Sequence, residues 1–374
     1  MTRTITHNFL HDICEYAACY LQKSHALVCS LGIASTIIHQ EAANANTTPK
    51  KSQHPNLTMI ANDILIHIGY QKTGTTWLQK ELFNNSTLGF IHPFERHDVM
   101  QHFIRPHSLD FDVHSCCNYV HRTLDTVAEK DGFTVLSHER LSGTPFFGGH
   151  DSVELANRLR SVFRQPKILI VIREQTQMIR STYAQYVKKG GTLSLQRYIA
   201  IGKKTRHLRE FELLRFQYHR LISHYQRKFG ADNVLVICYE QIVPNPRLYI
   251  QQILEFCGLP LSKEAIQMLP FGSPLNTSMS QSSVQLLARL NHVISRRSAI
   301  NPSPMVELSG LKYGRSVLGT MRTLDQLVPH RLKVASMYRT MKNIEEQIGD
   351  LYVASNQETT KLIGIDLAKY GYQV

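Results

Sequence analysis

The sequence predicts an α/β fold: a P-loop-like parallel sheet flanked by helices on both faces, in a single domain with a helical C-terminal part. Three observations predict it. Runs of strand length recur at residues 64–68, 133–138, 167–172 and 234–239, and the first, third and fourth are apolar without the alternation of a half-solvated strand, as strands buried on both faces require. Helix-period stretches separate these runs, and strands alternating with helices call for parallel pairing. The first run leads into a loop of glycines and hydroxyls with a lysine inside it, the pattern that seats a phosphate ester at a helix N-terminus.

In chain order, residues 1–58 form an N-terminal extension: an apolar run from Ala26 to Ile38 followed by a linker-like stretch from Glu41 to Lys51. The run is too short to span a bilayer, and Asp12 and Glu15 make a poor start for a leader peptide. A dispensable helix that packs on the domain or on a membrane surface is the expectation for it. The domain itself is expected over 59–374. Strand 64–68 is followed by helix 75–84, then by a poorly patterned stretch over 86–130, which together with 190–205 is expected to wall an acceptor pocket. Next come strand 133–138, helix 152–163, strand 167–172, helix 175–189, a helical region 206–229 and strand 234–239. Helices 247–257, 283–294, 326–347 and 348–363 complete the chain. Over 206–229, Leu214, Tyr218, Leu221, Tyr225 and Phe229 recur at three- and four-residue steps, so this basic segment packs one face on the core and leaves its cations solvated or lining an anionic groove.

The strand-to-loop segment reads Ile64-Leu-Ile-His-Ile-Gly-Tyr-Gln-Lys-Thr-Gly-Thr-Thr-Trp-Leu-Gln79. Backbone N–H groups between Gly69 and Thr76 would point at an anion, with Lys72 adding a point charge and the threonine hydroxyls further donors. The usual nucleotide-triphosphate loop puts its lysine directly after the second glycine. Here Lys72 precedes Gly74, and Thr75-Thr76 follows. A ligand-free Gly/Thr turn is the plain alternative. The order Lys72-Thr-Gly-Thr-Thr-Trp77 after a strand resembles the 5′-phosphosulfate loop of sulfotransferases that use 3′-phosphoadenosine 5′-phosphosulfate (PAPS). That resemblance implies that Gln71, Lys72, Thr73, Gly74, Thr75, Thr76 and Trp77 bind the co-substrate.

A second apolar strand, Lys167-Ile-Leu-Ile-Val-Ile-Arg173, ends in a cation, and Ser181 follows eight residues later. An arginine at a strand's carboxyl end and a serine two turns into the next helix can converge on one phosphate. Alone, Arg173 reads equally well as a capping or salt-bridged residue; by the same resemblance, Arg173 and Ser181 hold the 3′-phosphate. Val135 to Ser142, Val234 to Pro246 and Leu367 to Tyr372 also resemble bacterial members of this family, so the resemblance covers roughly residues 60 to 374. Asn276 to Ser280 resembles a segment that closes over the nucleotide in those relatives, and it reads equally as a helix N-cap.

The chemistry that the resemblance implies is in-line sulfuryl transfer from PAPS to a hydroxyl or amine of a glycan, lipid or small molecule, leaving 3′,5′-ADP. Lys72 is the catalytic cation at the bridging oxygen. Two candidates stand for the base: His138, at the position of the histidine in the cytosolic family's Lys-Thr-His motif, and Glu139, where bacterial relatives place a glutamate. A nucleotide-dependent kinase would need a magnesium-binding Asp at a strand end, where Arg173 stands instead. A non-catalytic anion- or glycan-binding protein could dispense with the lysine and the base.

The formal charge of +13 suits an anionic donor and an acidic acceptor; no nucleic-acid partner is expected. Seven cysteines with no C-x-x-C pair point to free thiols and a cytoplasmic, reducing setting, with membrane association through the extension as the weaker reading. Among nineteen histidines no zinc motif stands complete, so no metal is expected.

Overall fold

The computed structural model describes residues 60, 63–144, 148–202, 212–242, 244–271, 279–298 and 300–374. The extension expected over 1–58, residues 206–211 of the basic segment and Asn276 to Ser278 lie outside the described residues.

Five strands make one parallel sheet: β1 (Ile64–His67), β2 (Phe90–Ile91), β3 (Phe133–Ser137), β4 (Lys167–Ile172) and β5 (Val234–Cys238), in the order β2-β3-β1-β4-β5. Strand β1 is central, with Ile66 opposite Leu136 on one side and Ile168 on the other. The chain leaves β1 toward the β2 edge and leaves β4 toward the β5 edge, so a crevice opens between the carboxyl ends of β1 and β4. Open parallel sheets bind ligands at such a switch point.

The expected strands are present because their apolar runs have two faces to bury. Ile64, Ile66, Ile168, Ile170 and Ile172 face one hydrophobic layer with Leu136, Val234 and Val236; Leu65, Val135, Leu169, Val171 and Ile237 face the other. Helices cover both layers: α1 (Thr75–Trp77, continued by a π turn over Leu78–Leu82), α2 (Val113–Asp125), α3 (Ser152–Val162), α4 (Gln175–Lys188), α5 (Leu195–Gly202), α6 (Tyr218–Phe229), α7 (Pro246–Cys257), α8 (Gln281–Leu290), α9 (Gly319–Leu327), α10 (His330–Ile348) and α11 (Val353–Ile363). Leu78 and Leu82 of the first, with Ile250, Ile253 and Leu254 of α7, fill one layer. Leu159, Met178, Ile179, Tyr183, Ile222 and Tyr225 fill the other.

Several boundaries differ from expectation. The stretch 86–130 holds the edge strand β2 and the four-turn helix α2, whose start is capped by Asp112 accepting from His114 N–H and Ser115 N–H. In the basic segment the helix begins only at Tyr218, after a 3-10 turn over Leu213–Phe216; Tyr218, Leu221, Tyr225 and Phe229 are buried as the spacing requires, whereas Leu214 is only half-buried. The helix expected over 283–294 ends at Leu290, because Ile294–Ser295 pairs as a short strand with Val306–Glu307. Gly349 ends α10 at φ 51°, which splits the two C-terminal helices and delays α11 to Val353.

The C-terminal part bears on the crevice. Gln175, the first residue of α4, exchanges amide hydrogen bonds with buried Asn356 of α11 (2.7 and 3.3 Å). Tyr372 donates to Glu240 (3.1 Å), whose other oxygen accepts from Glu174 N–H (3.0 Å). The turns after β4 and β5 are thereby held together from behind. Cys116, Cys117, Cys238 and Cys257 are buried free thiols. No helix among the described residues is long and apolar enough to cross a membrane.

Candidate active site

The loop from Gly69 to Gly74 joins β1 to α1 at the mouth of the crevice. Ile68 and Tyr70 still donate across to β4, at Leu169 O and Val171 O, and the chain then turns away. The backbone N–H groups of Gln71 through Thr76 donate to none of the described residues, while Trp77 and Leu78 both return to Gly74 O. Six consecutive amide donors at a helix start are thus left without an acceptor among the described residues, an arrangement suited to an anion.

Lys72 is the only described residue other than glycine with a positive φ, 69°. The left-handed conformation costs an L-residue about 1–2 kcal/mol, and Arg173 helps to hold it: its Nη1 donates to Lys72 O at 2.8 Å. The loop after β1 and the residue after β4 are thus joined across the crevice. The Arg173 guanidinium lies over the Tyr239 ring at 4.7 Å, and its Nε is buried with no hydrogen-bond partner. Gly74, at φ 80°, closes the loop against the same tyrosine; a Cβ there would stand 3.1 Å from the ring.

The threonines divide the work. Thr73 is buried and its hydroxyl donates to Tyr70 O at 2.5 Å, which closes the turn and leaves its N–H, not its side chain, for a ligand. The Thr75 hydroxyl is buried with no partner, and Thr76 is exposed at the helix start. Gln71 and Trp77 are half-buried; the Trp77 indole N–H donates to Pro270 O (3.4 Å) and its ring stacks on Phe271 at 5.6 Å, leaving a flat aromatic surface beside the loop. Ser181 stands in the second turn of α4, half-buried, next to Arg180, whose pKa is lowered by burial and then by Arg173. Of the Asn276 to Ser280 segment, Met279 and Ser280 are described; Met279 is buried, and Ser280 caps α8 by accepting from Ser283 N–H while donating to Asp325.

Cations crowd this mouth. Burial lowers the pKa of Lys72, with Lys188 and then Arg173 adding repulsion and Glu139 opposing. Lys189 is pushed down to about 8 by burial and by Arg140, Arg296 and Lys72. An anion in the cradle relieves that repulsion. Among the described residues no cluster of histidine, cysteine or carboxylate side chains could hold a metal ion.

His138 and Glu139 follow β3 and have different environments. His138 is fully buried, and its Nδ1 accepts from Arg140 N–H (3.1 Å), so the ring proton sits on Nε2, which has no partner. Burial holds its pKa down at about 4, against the pull of Glu139. Glu139 is reached by solvent, and Arg96 grips it with two bonds of 2.7 and 2.9 Å. Burial pushes its pKa up, but the Arg96 bonds, His138 and the Arg96 charge outweigh it and hold the carboxyl at about 2.

Sequence reading missed Arg96, Tyr239 and His67. Arg96 and Tyr239 carry no local signal, since each meets the site only through the fold. His67 had one: a histidine inside an otherwise apolar buried strand, directly before the loop.

Fold and site together define a parallel α/β protein with a loop of unpaired backbone amides at its switch point. The family model described as the sulfotransferase domain matches residues 61–277, more than half of the chain, and the chain belongs to that family. Among solved structures, it is similar to a sulfotransferase from Alicyclobacillus acidocaldarius at 18% identity, covering 62% of this chain and 94% of that one with a TM-score of 0.41. It is also similar to the sulfotransferase domain of the Synechococcus olefin synthase (16% identity, 66% and 93% covered, TM-score 0.39). A mouse sulfotransferase complexed with PAP is matched at 14% identity over 56% of this chain and 63% of that one, with a TM-score of 0.35. No curated protein matches.

Proposed function

We propose that this sulfotransferase uses PAPS as donor and passes its sulfuryl group to a hydroxyl or amine of a glycan, lipid or small-molecule acceptor, releasing 3′,5′-ADP. The observation that carries the reading is the junction across the crevice, where the cradle with its unpaired amides is tied through Lys72 O to Arg173, itself left with an unpartnered Nε. A donor with phosphates at both its 5′ and 3′ positions has one anion for each side of that junction. The cradle amides and the Thr75 and Thr76 hydroxyls hold the 5′-phosphate; Arg173 and Ser181 take the 3′-phosphate; Trp77 offers a stacking surface to the base.

In the transfer step the acceptor oxygen or nitrogen attacks sulfur in line as the bond from sulfur to the bridging oxygen breaks. The leaving phosphate gains charge, which Lys72 neutralises. The acceptor's proton passes to a base. Glu139 suits that role better than His138, whose Nδ1 is already an acceptor for the backbone and whose Nε2 carries the proton. A carboxylate held near 2 is a weak base, but a hydroxyl becomes strongly acidic as its oxygen bonds to sulfur, so proton transfer late in the step suffices.

The test is transfer of labelled sulfur from PAPS into extracted glycans, lipids and small metabolites, followed on the best acceptor with variants. Glu139→Gln is expected to lower kcat by about a hundredfold with donor affinity unchanged, and His138→Ala to lower it less. Arg96→Ala removes the bonds that hold the Glu139 pKa down and leaves burial, which raises it; the acid limb of the rate profile therefore moves to higher pH. No label transfer to any acceptor would contradict PAPS as donor, and a wild-type rate for Glu139→Gln would contradict its role as base.

A further inference from the structure

His67 ends β1 beneath the cradle. It is wholly buried, and burial holds its pKa at about 3, so the ring is neutral. Which nitrogen carries the proton follows from its neighbours. Gln79 Nε2 lies 3.1 Å from Ser137 O, a carbonyl that can only accept, so the Gln79 atom is the amide nitrogen and donates. The same nitrogen lies 3.1 Å from Ser137 Oγ, which therefore accepts from it. The Ser137 hydroxyl proton is left for His67 Nδ1, 2.8 Å away. With Nδ1 accepting, the ring proton sits on Nε2, and that N–H has no partner.

Its surroundings show where it points. A Cβ built on Gly69 would lie 2.8 Å from His67 Nε2 and 3.4 Å from Thr75 Oγ1. Both of these atoms are buried, and neither has a partner. A fixed donor and a free hydroxyl thus flank one small space over a glycine, in a loop whose amides await an anion. A buried donor left unpaired costs free energy comparable to a lost hydrogen bond, so closure of the loop on a phosphate that joins the two recovers it.

We propose that His67 is a positioning residue for the donor: its Nε2–H, oriented by Gln79 and Ser137, donates to Thr75 Oγ1 when the cradle closes, so that the Thr75 proton points at an oxygen of the donor's 5′-phosphate. This rests on the reading of the cradle as the 5′-phosphosulfate site. It explains the glycine at 69, since any side chain would come between donor and hydroxyl, and it gives the Gln79–Ser137–His67 relay a task that packing alone does not require. Because the 5′-phosphate gains charge as the sulfuryl group leaves, the oriented hydroxyl acts more on kcat than on donor binding.

The experiment compares wild-type protein with His67→Leu, which removes the donor, and His67→Gln, which restores an N–H near the position of Nε2. Measured quantities are the affinity for 3′,5′-ADP, kcat, and KM for the acceptor. His67→Leu is expected to lower kcat roughly tenfold and to weaken 3′,5′-ADP by a smaller factor, with acceptor KM unchanged; His67→Gln is expected to recover most of both losses. Equal activity of wild type and His67→Leu overturns the proposal. So does His67→Gln as impaired as His67→Leu, since that marks a packing role. If His67→Leu does not fold, His67→Gln decides alone, near-wild-type turnover supporting the proposal and a tenfold loss overturning it. Failure of the wild-type protein to bind 3′,5′-ADP would instead strike the cradle reading itself.

Discussion

Lys72→Ala is expected to lower turnover by about a hundredfold or more while leaving the fold intact. The lysine stands at the crown of the cradle, half-buried, where burial and the nearby Lys188 and Arg173 lower its pKa. A cation in such a place gives little to stability and much to any reaction in which negative charge grows on the bound phosphate. The substitution adds no backbone strain, because alanine meets the same penalty as lysine at φ 69°. The Lys72 carbonyl that Arg173 holds is untouched by the change. Lys72→Met, similar in reach and neutral, should be as slow as the alanine variant, since charge and not packing is what is lost. Steady-state kinetics at saturating donor checks this, and turnover of either variant within a few-fold of wild type would remove Lys72 from the reaction.

Arg173→Ala is expected to weaken 3′,5′-ADP by roughly ten- to a hundredfold, since a lost charge-assisted contact costs about 1.5–3 kcal/mol. The structure adds a second consequence. Arg173 Nη1 is the donor that holds Lys72 O, so the variant also loosens the cradle, and 5′-AMP should weaken as well, by a smaller factor because that bond reaches the nucleotide only through the loop. The larger loss for the nucleotide with a 3′-phosphate is the signature of direct contact. Ser181→Ala, which leaves the cradle alone, should weaken 3′,5′-ADP and spare 5′-AMP. Calorimetry on the variants measures these differences; equal losses for both nucleotides in Arg173→Ala would reduce the arginine to a brace for the loop.

The parallel sheet was legible because most of its strands are short runs dominated by apolar residues, as at 167–172 and 234–239, with helix-period stretches between them. The loop that joins β1 to α1 was legible because its glycines, lysine and threonines are contiguous. Legibility failed where contacts are distant or patterns are diluted. Helix α2 buries Cys116, Cys117, Tyr119, Val120 and Leu124, but cysteines and a tyrosine among histidine, asparagine and serine blur its apolar stripe. Strand β2 is two residues long and has no periodicity to read. What separates the environments of His138 and Glu139 is Arg96, which grips the carboxylate from 43 residues away and leaves no trace in the local sequence, and Arg140 N–H, a local turn contact that depends on backbone geometry and not on residue type. The division among the threonines was hidden for a different reason: Thr73, Thr75 and Thr76 are equivalent as letters, and only the turn geometry commits the first to Tyr70 O.

The central claim, that the crevice between β1 and β4 holds a donor with phosphates at both the 5′ and 3′ positions, is tested most directly by calorimetric titration of the wild-type protein with 3′,5′-ADP and with 5′-AMP, without added metal. The two ligands differ by one phosphate, the group assigned to Arg173 and Ser181. The expected result is at least about tenfold tighter binding of 3′,5′-ADP, the equivalent of roughly 1.4 kcal/mol or more. Equal affinity for the two nucleotides would contradict the claim and return the Lys72 loop to a generic phosphate site.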